Sequence, residues 1–378
     1  MNKSQAKKLL DRLVQRVASD TSDVFDESLV EPATFFTDDE RWQQEREAFF
    51  LDTPQLIGFA GELQDPGSYL STESMGVPII ATRDEHGELH AFINACAHRG
   101  ATVAEGFGTT KRLTCRFHGW SYQLDGRLAG RPQDVHFCQP KTECGLTPLP
   151  ISDRAGLLMV GLRASMPQAK VNHALDDVAE QLCGFGFDRV KSLQSSRFEV
   201  AANWKLVVNL SHESYHFGSL HRESLAPLMT SHQVSDEFGL HTRWAFPFRG
   251  IENMQDQIGD QPPLRIPAIM NHTIFPGTVI VVNPGDAQLI RVEPGNSVDT
   301  SVVYFVGVCE AGAAADPDKL QASHDAYAFG HKVFETEDLP AAEQCQKGIN
   351  AGLQSVIVGA NEPVVQMWHR RWHEALDD

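Results

Sequence analysis

Between Asn94 and Trp120 the chain reads Asn94-Ala95-Cys96-Ala97-His98-Arg99-Gly100, a spacer, then Cys115-Arg116-Phe117-His118-Gly119-Trp120. One residue separates Cys96 from His98, and two separate Cys115 from His118. Thiolates and imidazoles at such spacing are metal donors, and any fold that uses them must bring both loops to one place. A Cys₂His₂ zinc site is one reading. Zinc fingers, however, usually pair Cys with Cys and His with His at short spacing, whereas each pair here is mixed.

Mixed pairs suit a centre of two irons, with Cys96 and Cys115 on one and His98 and His118 on the other. That is the ligand set of a Rieske [2Fe-2S] centre. Gly100 and Gly119 directly follow the second loop members and are expected to permit close backbone approach to the sulfides.

The remaining composition sets bounds. With 378 residues there is room for two domains, each with its own core. Hydrophobic residues at 42% and charged residues at 22% describe a soluble globular chain. No apolar run approaches the ~20 residues of a membrane span. Met1–Asp20 is lysine-bearing and polar, unlike a signal peptide, which predicts a cytoplasmic location. Seven cysteines without a regular framework predict reduced thiols. A net charge of −18 opposes nucleic acid and anionic membrane as partners.

Helical spacing of Leu9, Leu10, Leu13 and Val17 predicts an amphipathic N-terminal helix or arm, and acids at Asp38–Glu40 open a second helix over Glu40–Phe50. From Pro54 to about Leu162, short strands and glycine-bearing turns such as Asp84–Gly87 and Asp125–Gly126 predict a small all-β domain. Beyond it, helices are expected over Asn172–Gly184, Asn203–His221, His324–Glu335, Ala341–Val358 and Glu362–Leu376. Strands are expected at Ser196–Ala201, Arg243–Phe248, Thr278–Val282, Gln288–Val292 and Ser301–Val308, and a loop at Ala311–Ala315. Helices gathered on one side of an antiparallel sheet make an α+β domain. The expected division is 1–50 as N-terminal helices packing on the catalytic domain, 51–165 as the cluster domain and 166–378 as the catalytic domain.

A second donor group lies at Glu213-Ser214-Tyr215-His216-Phe217-Gly218-Ser219-Leu220-His221. Four residues between His216 and His221 exceed single-turn helical spacing by one, so a slight distortion lets both reach one ion. A carboxylate from elsewhere completes the two-His, one-carboxylate set that leaves Fe(II) open positions. His212 is a further, weaker donor.

The two loops together with Asn203-Trp204-Lys205 and this segment resemble the Rieske non-haem iron oxygenases, specifically the alpha (terminal oxygenase) subunits of the aromatic-ring-hydroxylating and betaine- or choline-type family. The resemblance runs from the helix at Glu40–Phe50 to the last helix. It implies an α+β chain made of a small all-β Rieske domain and a helix-grip (START-like) catalytic domain with an antiparallel sheet. It implies His216 and His221 as iron ligands, and Asp338 as the third through Phe334-Glu335-Thr336-Glu337-Asp338 and Glu343, with Glu337 the runner-up. Glu213 corresponds to the carboxylate that links a Rieske histidine of one subunit to an iron-ligating histidine of the next. A homotrimer follows, fed with NAD(P)H electrons by a separate reductase or ferredoxin, and acting with O₂ on a small organic substrate.

The implied reaction is hydroxylation or demethylation. Glu at position 213 and the spacing from Asn203-Trp204-Lys205 favour a quaternary ammonium substrate, with aromatic-ring dihydroxylation as the alternative. A Rieske electron carrier fused to a ligand-binding domain is the alternative of another class. Trp244, Phe246, Phe248, Phe275, Tyr304 and Phe305 are the aromatic residues expected to line a pocket or pack a core. Two positions depart from the family pattern: Ala97 replaces a common Pro, and Val208-Asn209-Leu210 replaces a common Glu-Asn pair.

Overall fold

The computed structural model describes residues 1–254 and 265–377. The chain divides into two units, one made of Ala48–Asp176 with Phe187–Val190, the other of Met1–Glu47, Asp177–Gly186 and Lys191–Asp378. The first is all-β apart from short helical turns. Its five-stranded antiparallel sheet runs, in spatial order, Pro148–Leu149, Leu89–Ile93, Val77–Arg83, Ser68–Ser74 and Phe107–Thr109. Two three-stranded sheets complete it. One contains Leu113–Thr114, Ser121–Tyr122 and Leu128–Gly130, the other Ile151–Arg154, Leu157–Val160 and Gln55–Phe59.

The hairpin at Asp84–Gly87 forms because Asp84 Oδ1 accepts from the backbone N–H groups of His86 and Glu88, each at 2.9 Å. This Asx-type capping holds Val77–Arg83 and Leu89–Ile93 in register. Ile80, Phe92, Leu113, Trp120 and Tyr122 then pack into one core with Cys96 and Cys115.

The second unit is α+β. Its main antiparallel sheet has seven strands, β1 (Val190–Val200), β2 (Val234–Phe238), β3 (His241–Pro247), β4 (Ala268–Ile274), β5 (Thr278–Val282), β6 (Asp286–Pro294) and β7 (Ser301–Glu310), in the order β1-β7-β6-β5-β4-β3-β2. Period-two alternation sends Trp244 and Phe246, Asn271, Gln288 and Ile290, and Phe305 to one face. Against that face lie α4 (Pro317–Val333), a π-helical turn at Phe334–Asp338, and the segment after α3 (Trp204–Leu210).

Helix α1 (Lys3–Ala18) is capped by Asn2, whose side chain accepts from Gln5 N while Gln5 returns the bond. It buries Leu9, Leu10 and Leu13 in this unit. Helix α2 (Asp39–Glu45) is capped by Asp38 and passes into a π-helical turn over Arg46–Leu51.

Four expectations are corrected. Asn203–His221 is not one helix: it ends at Leu210, and only a 3₁₀ turn at Tyr215–Gly218 follows. A continuous helix would place His212 and His216 on one face, yet His212 is buried on Thr273 while His216 faces the cavity. The helix expected to Val358 stops at Asn350, where Gly352 takes φ +109°, and Ser355–Val358 forms a strand paired with Leu29–Pro32. Asn172–Gly184 breaks into short turns, with helical residues at Gln168–His173 and Ala179–Leu182. Ala311–Ala314 is a helical turn that begins after Glu310, not a loop. Strands β2 and β4 were not expected at all.

Candidate metal centres

The two cysteine loops are built alike. Gly100 N–H donates to Cys96 O at 2.8 Å and Gly119 N–H to Cys115 O at 3.0 Å. Cys96 N–H donates to Ala101 O and Cys115 N–H to Trp120 O, at 2.8 and 2.9 Å. Both glycines have positive φ, +77° and +73°. A Cβ on Gly100 would meet nothing within 4 Å, so the glycine there answers a left-handed backbone and not a crowded approach.

Both thiols are buried, whereas His118 is exposed and His98 half-buried. The imidazoles meet with Nδ1 atoms 3.1 Å apart, and the His98 ring stacks on Trp120 at 5.1 Å. Among the described residues, the three-donor group able to surround one ion is another one, so these four donors are not gathered about a single zinc. Separate Cys and His pairs fit a two-iron cluster with its imidazole side towards solvent.

Tyr122 Oη lies 3.1 Å from Cys96 Sγ and accepts from Ala97 N–H at 3.0 Å. A proline at position 97 could not make that bond, so the departure at Ala97 has a use. Burial and the neighbouring Cys96 push the Tyr122 pKa up, which keeps it a hydrogen-bond donor to sulfur.

In the α+β unit, His216, His221 and Asp338 each offer a donor atom, all within 4.8 Å of one another. His216 Nε2 is 3.7 Å and His221 Nε2 3.3 Å from Asp338 Oδ1. Each histidine gives its other nitrogen to a second carboxylate. His216 Nδ1 donates to Glu213 Oε1, and His221 Nδ1 donates to Glu337 Oε2 at 2.7 Å, where Ser224 Oγ also donates at 2.8 Å. Such outer carboxylates set the tautomer and present both Nε2 atoms inward. Glu213 further accepts from the His216 backbone N–H at 3.1 Å.

Asp338 thus faces the Nε2 atoms of both histidines, with Glu337 one residue before it turned to His221 Nδ1 instead. His212 takes no part: its Nε2 faces Thr273 Oγ1 at 2.7 Å, fully buried.

The three donors lie on the wall of a cavity of about 340 Å³. Trp244, Phe246, Phe248 and Phe305 line it. Phe275 packs on Trp368 at 6.3 Å, and Tyr304, on the opposite strand face from Phe305, receives the Arg291 guanidinium at 4.3 Å. Phe217, Phe329 and Phe334 join the lining without having been expected. The spacing of Phe334 and Asp338, one helical turn apart, is the signal that could have found the last. Phe217 touches both metal-site histidines, with ring centroids at 5.1 and 5.6 Å, and Phe246 at 5.1 Å.

Near the second departure, Asn209 Nδ2 meets His369 Nε2 at 3.0 Å, and His369 Nδ1 meets Glu31 at 3.2 Å. Polar partners for this stretch therefore come from both ends of the chain. Burial disfavours a charged Glu31, but His369 and His373 outweigh it and hold its pKa down at about 2.

Residues 187–378 match the model for the ring hydroxylating alpha subunit (catalytic domain), and residues 53–143 match the Rieske [2Fe-2S] domain. The chain belongs to the ring-hydroxylating alpha-subunit family. It is 26% identical over 335 residues to the carnitine monooxygenase oxygenase subunit of Acinetobacter baumannii, covering 85% of each chain. It is 32% identical over 212 residues to the glycine betaine monooxygenase oxygenase subunit of Chromohalobacter salexigens, covering 56% of this chain and 47% of that one.

The fold is similar to that of the quaternary ammonium Rieske monooxygenase CntA bound to L-carnitine, with TM-score 0.75, 21% identity and coverage of 93% and 96%. Naphthalene 1,2-dioxygenase with bound indole gives TM-score 0.71, 18% identity and coverage of 93% and 92%. As an alpha subunit of this family the chain is an oxidoreductase, the oxygenase component of a Rieske system. Its cofactors are a [2Fe-2S] cluster and a mononuclear iron, and it requires a reductase partner. The donor sets described above fit both groups. Among the described residues, no helix is long and apolar enough to cross a membrane.

Proposed function

We propose that this alpha subunit hydroxylates or demethylates a small quaternary ammonium compound. His216, His221 and Asp338 hold the mononuclear iron, and Cys96, His98, Cys115 and His118 hold the cluster. The observation that carries this reading is the convergence of two Nε2 atoms and one carboxylate oxygen within 4.8 Å on the wall of an aromatic-lined cavity. When bound, iron held by two histidines and one carboxylate supplies open positions for O₂, and the cluster supplies the electrons.

The protein's residues do the rest. Glu213 and Glu337 orient the imidazoles. Phe217, Trp244 and Phe246 keep the site dry and offer ring faces to a cationic head by cation–π attraction. The named relatives support a quaternary ammonium substrate.

The assembly we propose is a cytoplasmic homotrimer, a heterologous ring closed by three-fold rotation. In it Glu213 joins His216 to a cluster histidine of the next subunit, and electrons come from NAD(P)H through the reductase or a ferredoxin. The test is metal content with product analysis: about three irons and two labile sulfides per chain, and hydroxylated or demethylated product from a trimethylammonium compound. About two irons per chain after reconstitution and no oxygenated product would leave a Rieske carrier fused to a binding domain. Dihydroxylation of an aromatic hydrocarbon, with no ammonium product, would shift the substrate class.

A further inference from the structure

The cavity has two unlike ends. Phe217, Trp244 and Phe246 gather on the β3 side, with Phe217 packed on the histidines. On the β5–β6 side the lining turns polar at Asn283, Asp286 and Gln288, with Asn271 between the two. Strands β3 and β6 are three sheet positions apart, roughly 14 Å at ordinary strand spacing. Gln288 packs against Gly330, where a Cβ would meet its Nε2 at 2.8 Å. Gly330 lies about two helical turns before Asp338, roughly 12 Å along the axis. The polar group is therefore far from the metal donors.

What this end presents, beside the amides of Asn283 and Gln288, is one carboxylate. Asp286 is buried, with 8% of its surface exposed, and its Oδ1 accepts from Asn283 Nδ2 at 2.7 Å. Among the described residues no other hydrogen-bond donor reaches its carboxylate. The neighbouring cation, Arg265, lies 3.4 Å from Glu310 and forms no ion pair with Asp286. Asn271, 6% exposed, gives its Nδ2 to Ser211 O at 3.4 Å, which fixes the amide orientation and leaves Oδ1 buried without a partner. No lysine or arginine lines the cavity, and residues 255–264, outside the described ones, contain none in sequence. Burial raises the Asp286 pKa, opposed by Asn283 and Arg265. A cationic or hydroxylic ligand group would satisfy the carboxylate in either state.

We propose that Asp286 selects the substrate by its far end, requiring a hydrogen-bond donor there (a hydroxyl or an ammonium) and rejecting a carboxylate. The inference rests on the quaternary ammonium reading for the head group and adds the tail. A carboxylate tail would meet the like charge of Asp286 on a wall that, among the described residues, carries no lysine or arginine, which is costly in a dry site.

The test separates head from tail. Dissociation constants are measured anaerobically by calorimetry on the metal-loaded protein. The ligands are butyl chains carrying a trimethylammonium or an isosteric tert-butyl head, each with a hydroxyl, ammonium or carboxylate tail. With either head, the hydroxyl or ammonium tail should bind about tenfold or more better than the carboxylate. Asp286→Asn should narrow that gap about tenfold without altering the preference between heads.

Equal or tighter binding of the carboxylate tail by the wild-type protein overturns the inference, and this comparison needs no variant to fold. Equal weakening of all tails by Asp286→Asn also overturns it. Loss of any advantage of trimethylammonium over tert-butyl would refute the quaternary ammonium reading while the tail comparison still decides on Asp286. Failure of every ligand to bind at millimolar concentration would refute both.

Discussion

Glu337 accepts the Nδ1 proton of His221 at 2.7 Å, so that two consecutive acids serve one imidazole from opposite sides, Asp338 facing its Nε2. The π-helical turn over Phe334–Asp338 makes this possible by turning adjacent side chains to different targets. Asp338→Ala should therefore abolish mononuclear iron binding and product formation with an intact Rieske spectrum. Glu337→Gln should weaken iron retention about 10- to 100-fold, read as iron content after dialysis against graded chelator. Full turnover by Asp338→Ala alongside a dead Glu337→Ala would move the third ligand by one residue.

Glu213 should act on electron arrival. Glu213→Gln is expected to slow single-turnover product formation by more than about tenfold while both metals remain bound, because it loses the charge that orients His216 and that, in the proposed ring, would couple it to a neighbouring cluster. Unchanged single-turnover rates in Glu213→Gln, or full activity from a monodisperse monomer, would contradict the ring.

At the cluster, His98→Cys or His118→Cys should erase the Rieske visible and electron-paramagnetic signature. Tyr122→Phe should keep the signature and lower the reduction potential, since it removes a donor from Cys96 Sγ. A colourless wild-type protein after anaerobic reconstitution would return the zinc reading.

Acid should weaken the α+β unit through His212. Burial, with His369 adding to it, pushes this histidine down to about 3, so the folded chain refuses a proton that the unfolded chain takes up near pH 6.5. Stability is complete above pH 6.5 and falls by about 1.4 kcal/mol per pH unit as pH drops towards 3. His212→Gln should flatten that dependence in denaturant midpoints measured between pH 7 and pH 5. A slope identical to the wild type would assign acid sensitivity to other groups.

For the electron donor, basic residues near the cluster loops divide into two kinds. Arg127 is paired with Asp125 at 2.6 Å, and Arg131 is buried between Asp134 and the rings of Trp120 and Phe137. Arg99, Lys111, Arg112 and Arg116 are exposed. Lys111→Glu with Arg112→Glu should raise the apparent KM for an acidic donor several-fold and reduce its salt dependence, leaving single turnover of prereduced enzyme unchanged. Donor kinetics that ignore both charges would place docking elsewhere.

The parts legible in the sequence are those written in short spacing. Cys96 to His98, Cys115 to His118 and His216 to His221 could be read locally, as could Thr278–Val282, whose bounds the structure reproduces. Asp338 needed the family resemblance, because no local rule links it to histidines more than a hundred residues earlier.

Other features escaped for physical reasons. Strand β4, Ala268–Ile274, is buried along nearly all its length, so it lacks the alternation that marks a half-exposed strand. The break after Leu210 is set by tertiary burial of His212, which helix propensity does not report. The polar end of the cavity joins Asp286 and Gln288 of β6 to Asn283 in the turn before them, and only the sheet register sets that strand across from Asn271 of β4.

The pairing of Glu45 with Lys205 also bears on how relatives of this chain can change. Both side chains are almost wholly enclosed, and Glu45 also receives the Trp204 indole N–H at 2.7 Å. Removing either partner alone would strand a buried charge at a cost of roughly 3–5 kcal/mol, a large fraction of what keeps a domain folded. Descent by single steps is therefore nearly closed at these two positions, although they lie 160 residues apart. Lineages should carry the acid and the base together or have exchanged both for apolar residues. The Trp-Lys dipeptide that reads like a catalytic signature is, in this unit, one half of an inherited pair whose other half lies near the N-terminus.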